Sequence, residues 1–157
     1  MTNETGDREL VLTRLMDAPP DKVYRAWTEP ELVKQWFAPA PWTIARAEMD
    51  VRPGGASLVV MRSPEGNEMP CPGVFLEVVP NRRLVYAWKG GDERNTGYGA
   101  PLDTVVTWSL TPVEAGTRIR LVHAGFVIPR NESAYTGMSG GWKKVVRQLD
   151  EISGEDK

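Results

Sequence analysis

The stretch between Trp42 and Ala124 is the part of the sequence that most restricts the fold, because apolar and polar residues alternate along it between frequent turns. The alternation occupies residues 42–49, 56–62, 69–79, 82–89, 103–112 and 116–124. The separating segments, among them "RPGG", "SPEGN" and "PNR", are rich in turn-forming residues. Short alternating runs joined by such turns are typical of antiparallel strands. We therefore predict five or six strands connected by hairpins.

The last two of these segments also predict which face of the sheet is covered. Two sets of residues share a face: Val106, Trp108 and Leu110 on one strand, and Ile119, Leu121 and His123 on the next. Their neighbours, such as Thr107 and Arg120, are polar. One face of the sheet is therefore expected to be covered and the other to be solvated.

Helical spacing appears on both sides of the alternating stretch. Before it, "ELVLTRLM" at residues 9–16 predicts a first strand, and "PPDKVYRAWT" and "EPELVKQWF" predict two short helices with proline near their starts. After it, apolar residues at positions 142, 145, 146, 149 and 152 predict an amphipathic helix that begins near Trp142. This order predicts an α+β fold, in which a curved antiparallel sheet of about six to seven strands packs against a long C-terminal helix.

Length and composition predict a single domain at 1–157. The chain has 157 residues, of which 41% are hydrophobic and 25% charged, as in ordinary globular proteins. We expect the core to span about residues 8–152, with flexible ends at 1–7 and 153–157.

Charge and cysteine content exclude several classes of function. The net charge is −2 and no long run of either sign occurs, which argues against nucleic-acid binding. One cysteine and one histidine allow neither an intrachain disulfide nor the usual zinc clusters. The sequence has no signal-peptide pattern and no apolar run long enough to span a bilayer. We therefore expect a cytoplasmic protein with no metal, no cofactor and no membrane insertion.

The glycine-rich segment "GMSGGWKKVV" at residues 137–146 has two interpretations. A phosphate-binding loop needs a lysine followed by Ser or Thr, whereas Lys143 is followed by Lys144 and no hydrophobic strand leads into the segment. The favoured interpretation is that the glycines let a helix lie close to the sheet, with Trp142 as the first anchor of its buried face. Lys143, Lys144 and Arg147 then belong to the solvated face.

Candidate catalytic residues are few. His123 could act as a general base, but the sequence offers it no identifiable Ser, Cys or Asp partner, which favours a hydrogen-bonded core or pocket histidine. Cys71 lies between two prolines and lacks a nucleophile signature. Glu48 and Asp50 could pair as acid and base, but the arginines beside them favour surface ion pairs.

Tryptophan content is more informative. Six tryptophans are present, at positions 27, 36, 42, 88, 108 and 142, and several lie on faces predicted to point inward. If the sheet curves around the last helix, an apolar pocket with aromatic walls lies between them. Four residues could supply polar groups to this pocket: Arg14, Tyr86, Tyr98 and His123.

Five segments follow one another in the order typical of a known family. They are "APPDKVYRAWTEPELVKQWF", "DVRPGG", "GVFLEVVPNRRLVYAW", "GTRIRLVHAGF" and the "GW" that precedes an amphipathic helix. The chain thus resembles, over residues 8–152, the activator of heat-shock-protein-90 ATPase homologue-like family of the START-like (SRPBCC, Bet v-like) superfamily. The resemblance implies a helix-grip fold whose C-terminal helix closes a deep hydrophobic cavity. It also implies that this helix spans about 131–152 and contains Gly137, Gly140 and Gly141.

Three functions are compatible with these patterns. The first is binding of a small hydrophobic molecule that enters between the loop at 89–101 and the last helix, and its expected ligand-binding residues are Trp36, Trp88, Tyr98, Trp108, His123, Phe126, Met138, Trp142 and Val146. The second is a polyketide cyclase or aromatase that uses the same cavity, with His123 or Arg14 assisting proton transfer. The third is a co-chaperone-like partner of the heat-shock protein 90 chaperone. A homodimer is also compatible with the sequence, which specifies no interface.

Overall fold

A computed structural model describes residues 6–38, 41–90, 102–114, 116–128 and 131–155. Its elements are β1 (Gly6–Met16), α1 (Pro20–Thr28), α2 (Pro30–Trp36), β2 (Thr43–Met49), β3 (Ala56–Arg62), β4 (Glu68–Val79), β5 (Arg83–Gly90), β6 (Leu102–Val113), β7 (Gly116–Ile128) and α3 (Glu132–Glu155). The strands form one antiparallel sheet in the order β1-β7-β6-β5-β4-β3-β2. This curved sheet, the two helices after β1 and the C-terminal helix confirm the predicted α+β helix-grip fold.

The two short helices begin at prolines, whose missing N–H costs nothing in a first helical turn. They pack on each other because the indole Nε1–H of Trp36 in α2 donates to the carbonyl oxygen of Ala26 in α1 at 2.8 Å. Both helices bury tryptophan: Trp27 and Trp36 are each 2% exposed. The pair of helices thus supplies large aromatic side chains to the space above the sheet.

Strands β6 and β7 confirm the predicted division between a covered and a solvated face. Val106, Trp108 and Ile119 are fully buried, whereas Arg118 and Arg120 are exposed. The two strands pair so that Trp108 lies opposite Leu121 and Val106 opposite His123. His123 therefore lies in the centre of the covered face.

Strand β7 is longer than predicted, because a β-bulge at Gly125 lets it continue to Ile128. The pairing with β1 passes from Ala124 to Phe126, and Gly125 has φ +104°, a conformation that favours glycine. The extra residue shifts the alternation, so His123 and Phe126 both face inward and their ring centroids are 4.5 Å apart. Simple alternation would have turned Phe126 outward.

The prediction from residue spacing that the last helix begins near Trp142 is wrong, since α3 begins at Glu132. The start implied by the family resemblance is correct. Glycines at three of the positions before Trp142 weaken the helical pattern of this segment. Ala134 and Met138 are nevertheless buried and extend the buried face of the helix by two turns. The helix is also tied to the end of β7, where the Val127 N–H donates to Asn131 Oδ1 at 3.0 Å.

The expectation that the glycines of α3 are contact points with the sheet is wrong for Gly140. That residue is exposed, and a Cβ atom added there would meet no heavy atom within 4 Å. In addition to its buried apolar face, the helix makes polar contacts nearer its C-terminal end. Gln148 Nε2 donates to the carbonyl oxygens of Trp36 and Ala38, at 2.8 and 2.9 Å.

Among the helices within the described ranges, none has the combination of length and apolar content that crossing a bilayer requires.

Candidate functional site

A cavity of about 470 Å³ lies where α3 approaches the ends of α2, β3, β4 and β5. Its lining residues are Phe37, Trp42, Met61, Met69, Trp88, Met138, Gly141, Trp142 and Val145. We call it the large cavity. Its volume lies within the range of pockets that enclose small organic molecules.

The described residues that line the large cavity are predominantly apolar. Helix α3 presents one face to it, through residues 138, 141, 142 and 145 at helical spacing. The opposite wall contains Met61 and Met69, which are direct partners on β3 and β4. No charged side chain occurs among the described residues that line it. Methionine adapts its shape and contacts aromatic rings favourably, so this wall suits a flat apolar ligand.

A second, small cavity of about 40 Å³ lies between the sheet and the two short helices. Its lining includes four tryptophans together with Tyr86, Ser57 and Cys71. Phe37 and Trp88 line both cavities, and their ring centroids are 5.8 Å apart. The large and the small cavity are therefore adjacent and meet at these two rings.

A buried chain of hydrogen bonds holds two tryptophans of the large cavity, Trp142 and Trp88. The Trp142 indole Nε1–H donates to His123 Nδ1 at 3.0 Å. Because this nitrogen accepts, the proton of the neutral ring belongs on Nε2, which donates to Thr104 Oγ1 at 2.8 Å. The Thr104 hydroxyl donates in turn to the carbonyl oxygen of Trp88 at 2.9 Å. Both ring nitrogens of His123 are thus engaged within the protein.

His123 also supports Trp88 directly, because the two rings stack with centroids 5.2 Å apart and planes 16° from parallel. Burial lowers the pKa of His123 from its ordinary value of 6.5 to about 3, since the charged imidazolium loses its hydration. The ring is therefore neutral at physiological pH. A neutral histidine with both nitrogens bonded is suited to positioning its neighbours and has no lone pair left for a substrate proton.

The residues expected to bind ligand fall into three groups in the structure. Trp88, Met138 and Trp142 line the large cavity, and Trp36, Trp88 and Trp108 line the small one. His123, Phe126 and Val146 are buried and line neither. Tyr98 lies outside the described residues, as does most of the loop at 89–101 that was expected to admit the ligand.

The other six lining residues of the large cavity were not among the expected ligand-binding residues: Phe37, Trp42, Met61, Met69, Gly141 and Val145. Val145 belongs to the apolar stripe seen in the sequence, and extending that stripe back to Met138 would have indicated the cavity face of α3. Met61 and Met69 had no such signal, because their meeting depends on the strand register.

Arg14 lies away from both cavities. Its guanidinium forms an ion pair with Asp150 of α3, with Nη2 2.9 Å from Oδ2. The exposed pairs Arg46–Glu48 and Arg52–Asp50 are surface ion pairs, as their sequence neighbourhood predicts. None of these groups is placed to transfer a proton within either cavity.

Cys71 lines the small cavity but is not activated. Burial raises the pKa of its thiol to about 12, and a hydrogen bond with the Trp88 side chain only partly opposes that effect. The group therefore remains a thiol at neutral pH, whereas a nucleophilic cysteine needs the thiolate.

Comparisons with known proteins agree with this architecture. Residues 17–154 match the family profile described as "Activator of Hsp90 ATPase homolog 1-like protein". A crystal structure of a Nitrosomonas europaea protein has 32% sequence identity and a TM-score of 0.81, with 95% of this chain and 96% of that chain covered. A Chromobacterium violaceum protein has 28% identity and a TM-score of 0.81, covering 94% and 98% of the two chains.

A solution structure of a protein described as AHSA1-like, from Aeromonas hydrophila, is similar in fold alone. Its sequence identity is 16% and its TM-score 0.73, with 92% of this chain and 90% of that chain covered. No curated protein matches the sequence of this chain. The comparisons therefore establish the fold and the family profile, and they name no ligand.

Proposed function

The chain belongs to the Activator of Hsp90 ATPase homolog 1-like family, and from that premise we propose that it binds a small, uncharged hydrophobic molecule in the large cavity. The observation that carries this proposal is the cavity itself, about 470 Å³ in volume and lined by apolar side chains. A concave apolar space of this size, with a few polar groups at its margin, is the usual form of a small-molecule binding site.

The lining supports an uncharged ligand. A buried anion or cation needs a partner of opposite charge, and the described lining residues offer none. Three tryptophans, one phenylalanine and three methionines instead offer flat and polarizable surfaces. Aromatic rings in a ligand can stack on the tryptophan and phenylalanine rings and can contact the methionine sulfur atoms.

The hydrogen bonds of His123 support a binding site that is formed in advance. They fix the indole of Trp142 and the backbone of Trp88, which stand on two walls of the large cavity. A wall that is already ordered loses little conformational entropy when a ligand binds. His123 is thus a positioning residue in this proposal, and neither it nor Arg14 has the access that proton transfer in a cyclase would need.

A matched pair of substitutions tests the proposal. Val145→Phe places a larger side chain in the large cavity, whereas Val105→Phe places the same side chain on the solvated face of β6, where Val105 is 37% exposed. We expect the neutral fluorescent probe N-phenyl-1-naphthylamine to bind the wild-type protein, and Val145→Phe to weaken that binding by about tenfold or more.

Val105→Phe is expected to leave the affinity for the probe unchanged, and circular dichroism melts of both variants show whether they are folded. Equal affinity in two folded variants, or no binding by the wild-type protein, would contradict binding in the large cavity.

A further inference from the structure

We propose that the small cavity is a polar subsite that receives an uncharged oxygen of the ligand, such as a carbonyl oxygen, while the apolar body of the ligand occupies the large cavity. The inference rests on the proposed function and narrows it to a neutral, largely apolar molecule with a hydrogen-bond-accepting oxygen. It depends on two hydrogen-bond donors of the small cavity, those of Trp27 and Tyr86.

Trp27 is the first donor. It lines the small cavity and is 2% exposed, and its indole Nε1 has no hydrogen-bond partner among the described residues. The buried indole N–H groups of Trp36, Trp108 and Trp142 are all bonded. Leaving a buried N–H without an acceptor destabilises a folded protein, so this donor calls for an acceptor that the described part of the chain does not supply.

Tyr86 is the second donor. Its hydroxyl oxygen accepts the Trp108 indole N–H at 3.2 Å, and no acceptor for its own O–H occurs among the described residues. Burial raises the pKa of Tyr86 above its ordinary value, so the hydroxyl keeps its proton at neutral pH. Trp27 and Trp108 are in contact, with ring centroids 5.0 Å apart. The two donors thus belong to one aromatic cluster at the small cavity.

The remaining surroundings determine the kind of acceptor. A carboxylate or phosphate would need a cation, and the described residues that line the small cavity include none. Its volume of about 40 Å³ can hold one or two small atoms but not a ring. Phe37 and Trp88 bound both cavities, so a ligand in the large cavity contacts the same two rings that enclose the subsite. An oxygen that projects from an apolar ring system matches this arrangement.

Two ligands of the same shape test the subsite. Fluorenone carries a carbonyl oxygen that fluorene lacks, and both can be titrated against bound N-phenyl-1-naphthylamine. We expect the ratio of the two dissociation constants to favour fluorenone in the wild-type protein. Trp27→Phe and Tyr86→Phe should each shift this ratio against fluorenone by about tenfold, because each removes one buried hydrogen bond. Trp42→Phe, which alters the large cavity alone, should weaken the binding of both ligands and leave the ratio of their dissociation constants unchanged.

A measurement without substitution accompanies the titration. The indole N–H proton of Trp27 should move downfield in the NMR spectrum when fluorenone binds and not when fluorene binds. If the ratio is unchanged in Trp27→Phe and Tyr86→Phe and the Trp27 signal does not move, water alone occupies the subsite. That result would overturn this inference but leave the proposed function intact. Failure of both compounds and of the probe to bind the wild-type protein would instead contradict the proposed function.

Discussion

His123 shows how burial changes the role of a residue type that often transfers protons. The ring lies in the centre of the covered face of the sheet, accepts from Trp142 and donates to Thr104. Desolvation lowers its pKa to about 3, so the charged form is disfavoured in the folded state but not in the unfolded chain. A residue whose type suggests catalysis in the sequence therefore lies behind Trp88 and Trp142, the two lining residues that its hydrogen bonds hold in place.

The depressed pKa of His123 makes stability depend on pH. Between its unfolded value of 6.5 and its folded value of about 3, the unfolded chain binds a proton that the folded protein does not. Its contribution to stability is therefore lost as the pH falls through this window. We expect the free energy of unfolding to decrease by about 2 to 3 kcal/mol between pH 7.5 and pH 4.5 from this group.

Urea unfolding of the wild-type protein and of His123→Gln at both pH values measures that contribution. The variant contains no histidine, and both proteins share the same carboxylates, so the difference between their pH dependences isolates His123. An equal loss of stability in the two proteins would show that His123 is not the buried neutral group described above.

At the scale of the elements, the residue pattern placed the start of α3 near Trp142, whereas the helix begins at Glu132. The glycines at 137, 140 and 141 weaken the helical signal, and the apolar stripe from Trp142 onward predicts a helix without them. The earlier turns are held by tertiary packing, because Ala134 and Met138 are buried, and by the contact between Asn131 and β7. Packing against a neighbouring element can stabilise a helix that propensity alone would not.

Gly140→Ala is expected to stabilise α3. The residue is exposed within the helix and a Cβ atom there meets open space, so alanine restricts the unfolded chain without a clash. The gain should be about 1 kcal/mol, which corresponds to a rise in Tm of about 2 to 4 °C. Circular dichroism at 222 nm, a wavelength that reports helix, records the melt. A lower Tm in the variant would contradict the placement of Gly140 on the exposed face.

At the scale of the whole molecule, the parts that the sequence predicts are those that depend on local pattern. Alternation located the strands, and the faces of β6 and β7 followed from the residues of each strand alone. Five ordered segments added the family and the true start of α3. All of these features repeat along the chain or occupy a continuous segment of it, so a linear sequence can carry them.

The cavity depends on features that no continuous segment contains. Met61 faces Met69 only because β3 and β4 pair in that register. Phe37, the residue after α2, meets Trp88 of β5 only through tertiary packing. Phe126 faces inward because of the bulge at Gly125. Trp88 and Trp142 could be proposed from the sequence because they lie on faces with a clear period, whereas Met138 lies in the part of α3 that only the family resemblance indicated. The unpartnered Trp27 indole could not, because hydrogen bonding is a tertiary property.

Methionine methyl groups offer the most direct test of binding in the large cavity. Met61, Met69 and Met138 line it, whereas Met16 is buried in the core and lines neither cavity. With methyl-¹³C methionine in the protein, we expect N-phenyl-1-naphthylamine to shift the signals of the three lining residues through the ring current of the bound probe and to leave Met16 unshifted. Saturation at one probe per chain with this pattern supports the proposal, whereas unshifted lining residues, or an equal shift of Met16, would contradict it.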